Sequence, residues 1–285
     1  MRVLVTGATS LIGRHTVDAL LRHGHEVAAL QRGEHPHVPS VRGAITDPEL
    51  LRRACADQEI VVHLAAKVGV TGDWDEYEQT NVTGTELLLD VARAAGVARF
   101  VHVSSPSVAH TGESLNGARA EPADPAATRG HYATSKAMAE IVALRASSDA
   151  MPVVAIRPHL VWGPGDTQLV GRVVERARRG LIALVGSGAA LIDTTYVTNA
   201  ADALVAAVDR APALGGTALV VSNGEPRTVH ELFARITAAA GVDWSPRRVP
   251  ARIAVTGGSA AERVWDRTGR TDDPPMTSFL AEQLS

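Results

Sequence analysis

The chain is short of several residue types at once: it has one cysteine, three tyrosines, three phenylalanines and two lysines among 285 residues. The single cysteine, Cys55, excludes an internal disulfide. With no Cys/His spacing of the zinc type, it reads as a core or helix residue in a reducing compartment. No stretch approaches the roughly 20 apolar residues of a spanning helix. The apolar start MRVLV meets a glycine too soon for a secretory leader. A cytoplasmic protein is expected. Charge of one sign is missing too: the formal net charge is −3 and no polybasic run occurs, so neither nucleic acid nor an anionic membrane is favoured as a partner. Eleven histidines include the local group HGHEVAALQRGEHPH. His35 and His37 there flank a proline in a loop and lack acids at ligand spacing, so no metal site is expected.

What the chain does have is alanine, valine and leucine, with 45% apolar residues overall. Its length suits one large domain with an appended lobe, or two domains. The first hundred residues alternate short β-branched runs with helical patterns: RVLV, LIGRHTVDALLRHG, EVAAL, PELLRRACAD, EIVVHLAA, NVTGTELLLDVARAAG and RFVHVSS. Strands of four to six residues with helices between them read as a parallel sheet with right-handed crossovers. The expected architecture is α/β, a doubly wound parallel Rossmann sheet with a smaller C-terminal substrate lobe. Residues 1–163 and 191–222 form the expected dinucleotide-binding domain, and 164–190 with 223–285 the lobe.

In VLVTGATSLIG a strand, a glycine turn and a helix start follow one another, which is the setting of a dinucleotide fingerprint. Gly7 permits the tight turn and Gly13 close packing of helix on sheet. Backbone groups of Thr9, Ser10, Leu11 and Ile12 then meet the pyrophosphate. Ser10 stands where a second glycine is usual, at an expected steric cost. At the end of the second strand, where a carboxylate would select NAD, the chain has Gln31 and Arg32. An arginine can pair with a 2′-phosphate, so NADP (as NADPH) is expected rather than NAD. Ala44 replaces an acid that often recognises adenine, which leaves Asp47 for that role.

FVHVSSPSV places Ser104 and Ser105 at the end of a further strand, where hydroxyls face the ligand crevice. In HYATSKAMAE, Tyr132 and Lys136 lie four apart, neighbours on one helix face. A phenol beside an ammonium can serve as an acid or base near neutral pH.

Together with HLAAKVG at 63–69, NVTGT at 81–85, YATSK at 132–136, IRPHLVWGPGD at 156–166 and DTTYVTNAADA at 193–203, these motifs resemble the extended short-chain dehydrogenase/reductase superfamily over roughly residues 1–223. The likeness is greatest to the 3β-hydroxysteroid dehydrogenase-like branch, and within it to bacterial 2-alkyl-3-oxoalkanoate reductases. The resemblance implies that Tyr132 is the proton donor and acceptor. Lys136 would lower its pKa and hold the nicotinamide ribose, and Ser105 would hydrogen bond the substrate oxygen. Ser104 would contact the cofactor, although the two serines can exchange these roles. Ala65, Ala66 and Lys67 would line the cofactor, with Pro158 and His159 near the carboxamide.

The resemblance further implies NADPH-dependent reduction of a β-keto carbonyl on a hydrophobic acyl-type substrate, or the reverse oxidation. It also implies a homodimer through helices near 80–95 and 132–147. Relatives continue past MTSFLAEQLS, so the lobe is expected to be shortened or incomplete. Three alternatives are a 3β-hydroxysteroid dehydrogenase, a sugar-nucleotide epimerase or dehydratase, and an NADP-sensing regulator without turnover. The epimerases usually carry Tyr-Gly where this chain has Ala109 and His110. A regulator would usually lack the tyrosine and lysine.

Overall fold

The computed structural model describes residues 1–69, 72–110 and 117–268. Residues 269–285 of the expected lobe lie outside the described residues. The short β-branched runs form seven parallel strands: β1 (Arg2–Thr6), β2 (Glu26–Gln31), β3 (Ser40–Arg42), β4 (Ile60–His63), β5 (Arg99–Val103), β6 (Val153–Pro158) and β7 (Thr217–Val221). Their order in the sheet is β7-β6-β5-β4-β1-β2-β3. Sequence order reverses between β1 and β4, and a doubly wound sheet binds its ligands beyond the carboxyl ends of the strands at such a point.

Five helices cover the sheet: α1 (Leu11–Arg22), α2 (Pro48–Cys55), α3 (Gly84–Ala94), α4 (His131–Arg145) and α5 (Val197–Leu214). Alternate strand residues point to opposite faces, which divides the core in two. On one face Val3, Val5, Val62 and Val101 pack with Val17 and Leu20 of α1 and Leu204 and Val208 of α5. On the other, Leu4, Leu30 and Phe100 pack with Leu51 of α2, Leu88 of α3 and Ala143 of α4. A single helical turn, Trp74–Tyr77, and a π-helical stretch, Glu78–Thr83, lead into α3. Such π segments are rare and recur near functional sites.

The chain divides into two compact units, Met1–Val161 with Thr195–Ser222, and Trp162–Thr194 with the described residues from Asn223 on. Residues 162–163 and 191–194, expected in the first, fall in the second. Leu191–Ile192 pairs antiparallel with Arg227–Thr228 rather than with the large sheet. The second unit has its own small core of Leu184, Val185, Val229 and Ala254, flanked by Phe233 and Trp244. Among the described residues no helix is long and apolar enough to cross a membrane.

Candidate active site

The nucleotide turn begins where β1 ends. Gly7 has φ +68°, and a Cβ there would lie 2.8 Å from the Ala65 nitrogen, so only glycine fits. A Cβ on Gly13 would collide with the Gly7 carbonyl, which lets α1 start directly on the turn. Ser10 is the N-cap: its Oγ accepts from the Gly13 N–H at 3.0 Å. Its φ of −64° needs no glycine, and the expected steric cost of serine is absent from the backbone.

Gln31, the last residue of β2, is buried, and both polar atoms of its amide lack a hydrogen-bond partner. Arg32, one residue beyond the strand, is exposed. Asp47 also caps α2, its Oδ1 accepting from Glu49 N at 3.0 Å and Leu50 N at 3.2 Å.

The chain leaving β4 is tied down at several points. Thr6 Oγ1 accepts from the Leu64 and Ala65 N–H groups at 3.1 and 3.0 Å. Beyond Ala66, buried Asn81 grips the Lys67 backbone, accepting from its N–H at 2.7 Å and donating to its carbonyl at 3.0 Å. The Lys67 ammonium pairs with Glu76 at 2.5 Å and lies 5.0 Å from the centre of the Tyr77 ring.

At the end of β5 the two serines separate. Ser104 is buried with an unpartnered hydroxyl. Ser105 caps the short 3₁₀ turn Pro106–Ala109, lies 2.8 Å from the Ser107 hydroxyl, and is hydrogen-bonded to the Tyr132 phenol. The structure therefore brings Ser105 and Tyr132 together. Burial raises the phenol above its ordinary pKa, and the Ser105 hydrogen bond opposes that rise.

Lys136, one turn further along α4, is buried and donates to the Val103 carbonyl at 2.7 Å. Burial brings its ammonium down to about 8, against the upward pull of Glu140. The expected lowering of the phenol by Lys136 is not what the structure shows: the ammonium is engaged at Val103, and burial dominates the phenol. Beneath it, Glu140 forms a buried pair with Arg157, Nε to Oε2 2.8 Å, which fixes α4 to β6. Pro158 ends β6. His159 N donates to Val221 O at 2.8 Å, and Thr195 Oγ1 donates to His159 O at 2.6 Å.

The sequence reading did not assign roles to Thr6, His63, Thr85, Asn81 and Ser135. For Thr6 and His63 the signal was a polar residue inside an apolar run, as in EIVVHLAA; Asn81, Thr85 and Ser135 stand in polar stretches that gave none. Among the described residues no group of three His, Cys, Asp or Glu could hold a metal.

A doubly wound sheet with a glycine turn at its switch point and a hydroxyl, phenol and ammonium at the strand ends defines an oxidoreductase of the short-chain dehydrogenase/reductase type. Residues 3–221 match the NAD dependent epimerase/dehydratase family, and the chain belongs to it, within the extended branch of that superfamily. It is 39% identical to a 2-alkyl-3-oxoalkanoate reductase of Stenotrophomonas maltophilia, covering 100% of this chain and 89% of that one. Two similar solved structures are the UDP-glucose 4-epimerase of Thermus thermophilus in complex with NAD (TM-score 0.73, 31% identity, 88% and 86% covered) and the dTDP-glucose 4,6-dehydratase DesIV of Streptomyces venezuelae with NAD bound (TM-score 0.74, 28% identity, 88% and 84% covered).

These comparisons correct the expected cofactor, since further solved relatives also hold NAD. The local chemistry agrees with the correction. A buried neutral amide at the end of β2 offers one donor group and one acceptor, which suits ribose hydroxyls, while the arginine invoked for a 2′-phosphate is exposed.

Proposed function

We propose that the chain is an NAD-linked oxidoreductase that interconverts a keto and a hydroxyl group on an acyl-type substrate carrying the reacting carbon β to a carboxyl. The observation that carries this reading is the Ser105–Tyr132 hydrogen bond beside buried Lys136 at the carboxyl ends of the sheet. The identity to a 2-alkyl-3-oxoalkanoate reductase supports the substrate class.

The residues present fit a dinucleotide. The turn at Gly7 and Gly13 leaves no room for a side chain, and Gln31 and Ser104 carry buried polar atoms without partners. Gly7 to Gly13 would hold the pyrophosphate, Gln31 the adenosine ribose, and Ala65, Ala66 and Ser104 the remainder. When bound, the nicotinamide supplies or accepts a hydride.

Tyr132 supplies the proton. With its pKa raised by burial the phenol is protonated at neutral pH and stands ready as the acid for ketone reduction. Ser105 donates to the phenolic oxygen and so stabilises the charge it acquires once the proton has left. Lys136, held by the Val103 carbonyl and kept charged against burial by Glu140, supplies a donor for ribose hydroxyls. In the oxidative direction the phenol must first lose its proton, so that rate rises with pH. A homodimer through α3 and α4, where Leu87 and Val91 pack at the edge of the core and stay half-exposed together with Ile141, completes the proposal.

The test is NADH consumption with a panel of 2-alkyl-3-oxoalkanoates, 3-oxosteroids and UDP-sugars, with NADPH run alongside. Turnover of the oxoalkanoates with NADH is expected. Turnover confined to the steroids, or none with any ketone, would overturn the substrate class.

A further inference from the structure

Between the sheet and α3/α4 runs a line of buried polar groups that the proposed chemistry does not use. His63 ends β4 directly beside Thr6 of β1, in register with it. Its Nδ1 lies 2.7 Å from Thr6 Oγ1 and its Nε2 3.0 Å from Thr85 Oγ1 of α3. Thr85 Oγ1 in turn donates to the Asn81 carbonyl at 2.6 Å. The Asn81 side chain donates to Ser135 Oγ at 2.9 Å, and Ser135 donates to the Tyr132 carbonyl at 2.9 Å.

The direction of every bond in this line follows from one fact: a hydroxyl has one proton. The Asn81 carbonyl can only accept, so the Thr85 proton points to it. Thr85 Oγ1 must then accept from His63, which places the ring proton on Nε2. Nδ1 is left as an acceptor, and the Thr6 proton points to it. Thr6 Oγ1 is thereby free to accept the Leu64 and Ala65 N–H groups, as observed. Ala65 is the residue against which Gly7 packs. This polarity satisfies all of these groups, whereas the opposite one leaves Nε2 without a donor while the Thr85 proton points to Asn81, and gives Thr6 Oγ1 a third N–H to accept.

We propose that His63, fixed as the Nε2–H tautomer by Thr85, is a positioning residue that holds the Leu64–Ala65 segment behind the glycine turn in register with the helix carrying Tyr132 and Lys136. The assignment of a dinucleotide to that turn rests on the functional reading above, whereas the hydrogen-bond polarity does not. Burial, which keeps the ring neutral down to about 3, agrees with a fixed tautomer. Loss of Thr85 as acceptor would favour a proton on Nδ1. Thr6 Oγ1 would then receive a third N–H, and its hold on Leu64 and Ala65 would weaken.

Three measurements test this. Nitrogen-15 NMR of histidine-labelled protein is expected to show His63 as Nε2–H; an Nδ1–H ring in the unmutated protein overturns the proposal outright, whatever any variant does. Thr85→Val is expected to speed amide exchange at Leu64 and Ala65, and to lower kcat about tenfold, the scale of one hydrogen bond, with little change in KM for the ketone. Thr85→Ser is expected to restore all of these. Wild-type exchange and kcat in a folded Thr85→Val protein would overturn the proposal, as would a loss that Thr85→Ser fails to rescue. If the unmutated protein turns over no ketone, the functional reading fails, and the tautomer and exchange measurements still decide the role of His63.

Discussion

Tyr132 and Phe differ by the one atom that meets Ser105. Tyr132→Phe therefore preserves the packing of α4 and removes the transferable proton, which is typically worth about 10² to 10⁴ in rate. NAD binding followed by fluorescence should persist while turnover is lost, and a variant with the unmutated rate would remove Tyr132 from the mechanism. His102 poses a different problem. It is fully buried, neither ring nitrogen has a hydrogen-bond partner, and burial holds its pKa well below the usual value, with Lys136 and His63 adding to the shift. The folded protein binds no proton at His102 or His63 where the unfolded chain, with pKa near 6.5, binds one at each. By linkage, stability falls as pH drops below about 6.5. His102→Leu should flatten this acid limb without loss of stability at pH 7, because it removes two unsatisfied polar atoms. Urea titrations across that range make the check: a limb as steep as that of the unmutated protein would show that His102 does not contribute.

At the scale of elements, α1 matters through its first turn. Its N-terminus can approach a phosphate only because Gly13 lets the helix begin against the Gly7 carbonyl, with Ser10 as cap. Gly13→Ala should push the helix off the turn, cost about 1–3 kcal/mol as overpacking does, and abolish NAD binding by calorimetry. Ser10→Ala should behave otherwise, costing about 1 kcal/mol through the lost cap and leaving the turn in place. Binding lost equally in both variants would count against this distinction. Gly7, Gly13 and the Tyr132–Lys136 spacing were legible from the chain because each is a local constraint. Which serine meets the tyrosine was not, since Ser104 and Ser105 differ only in the face on which the strand end leaves them.

For the whole molecule, the proposed homodimer would place a second copy on the half-buried apolar residues of α3 and α4. Leu87→Asp places a charge there that two protomers would have to bury, which costs strongly unless it is paired. Sedimentation velocity should give a dimer for the unmutated protein and a monomer for the variant. A monomeric unmutated protein would remove the dimer from the proposal. The buried Glu140–Arg157 pair lies within the first unit, so α4 remains anchored to β6 in either state.

The sequence by itself determined the parallel doubly wound sheet, the glycine turn, the Tyr132–Lys136 pair and the family. Strand alternation, helix period and glycine sterics act over a few residues and leave a direct mark in the order of residue types. The tertiary structure decided what depends on neighbours distant in the chain. It paired Leu191–Ile192 with Arg227–Thr228, and so moved a unit boundary. It buried Gln31 without partners and left Arg32 exposed, in keeping with the NAD held by solved relatives. It turned the Lys136 ammonium onto Val103, so that burial rather than the lysine governs the tyrosine. Charge and hydrogen-bond energies depend on depth and on what lies across the fold, and neither is written in sequence spacing.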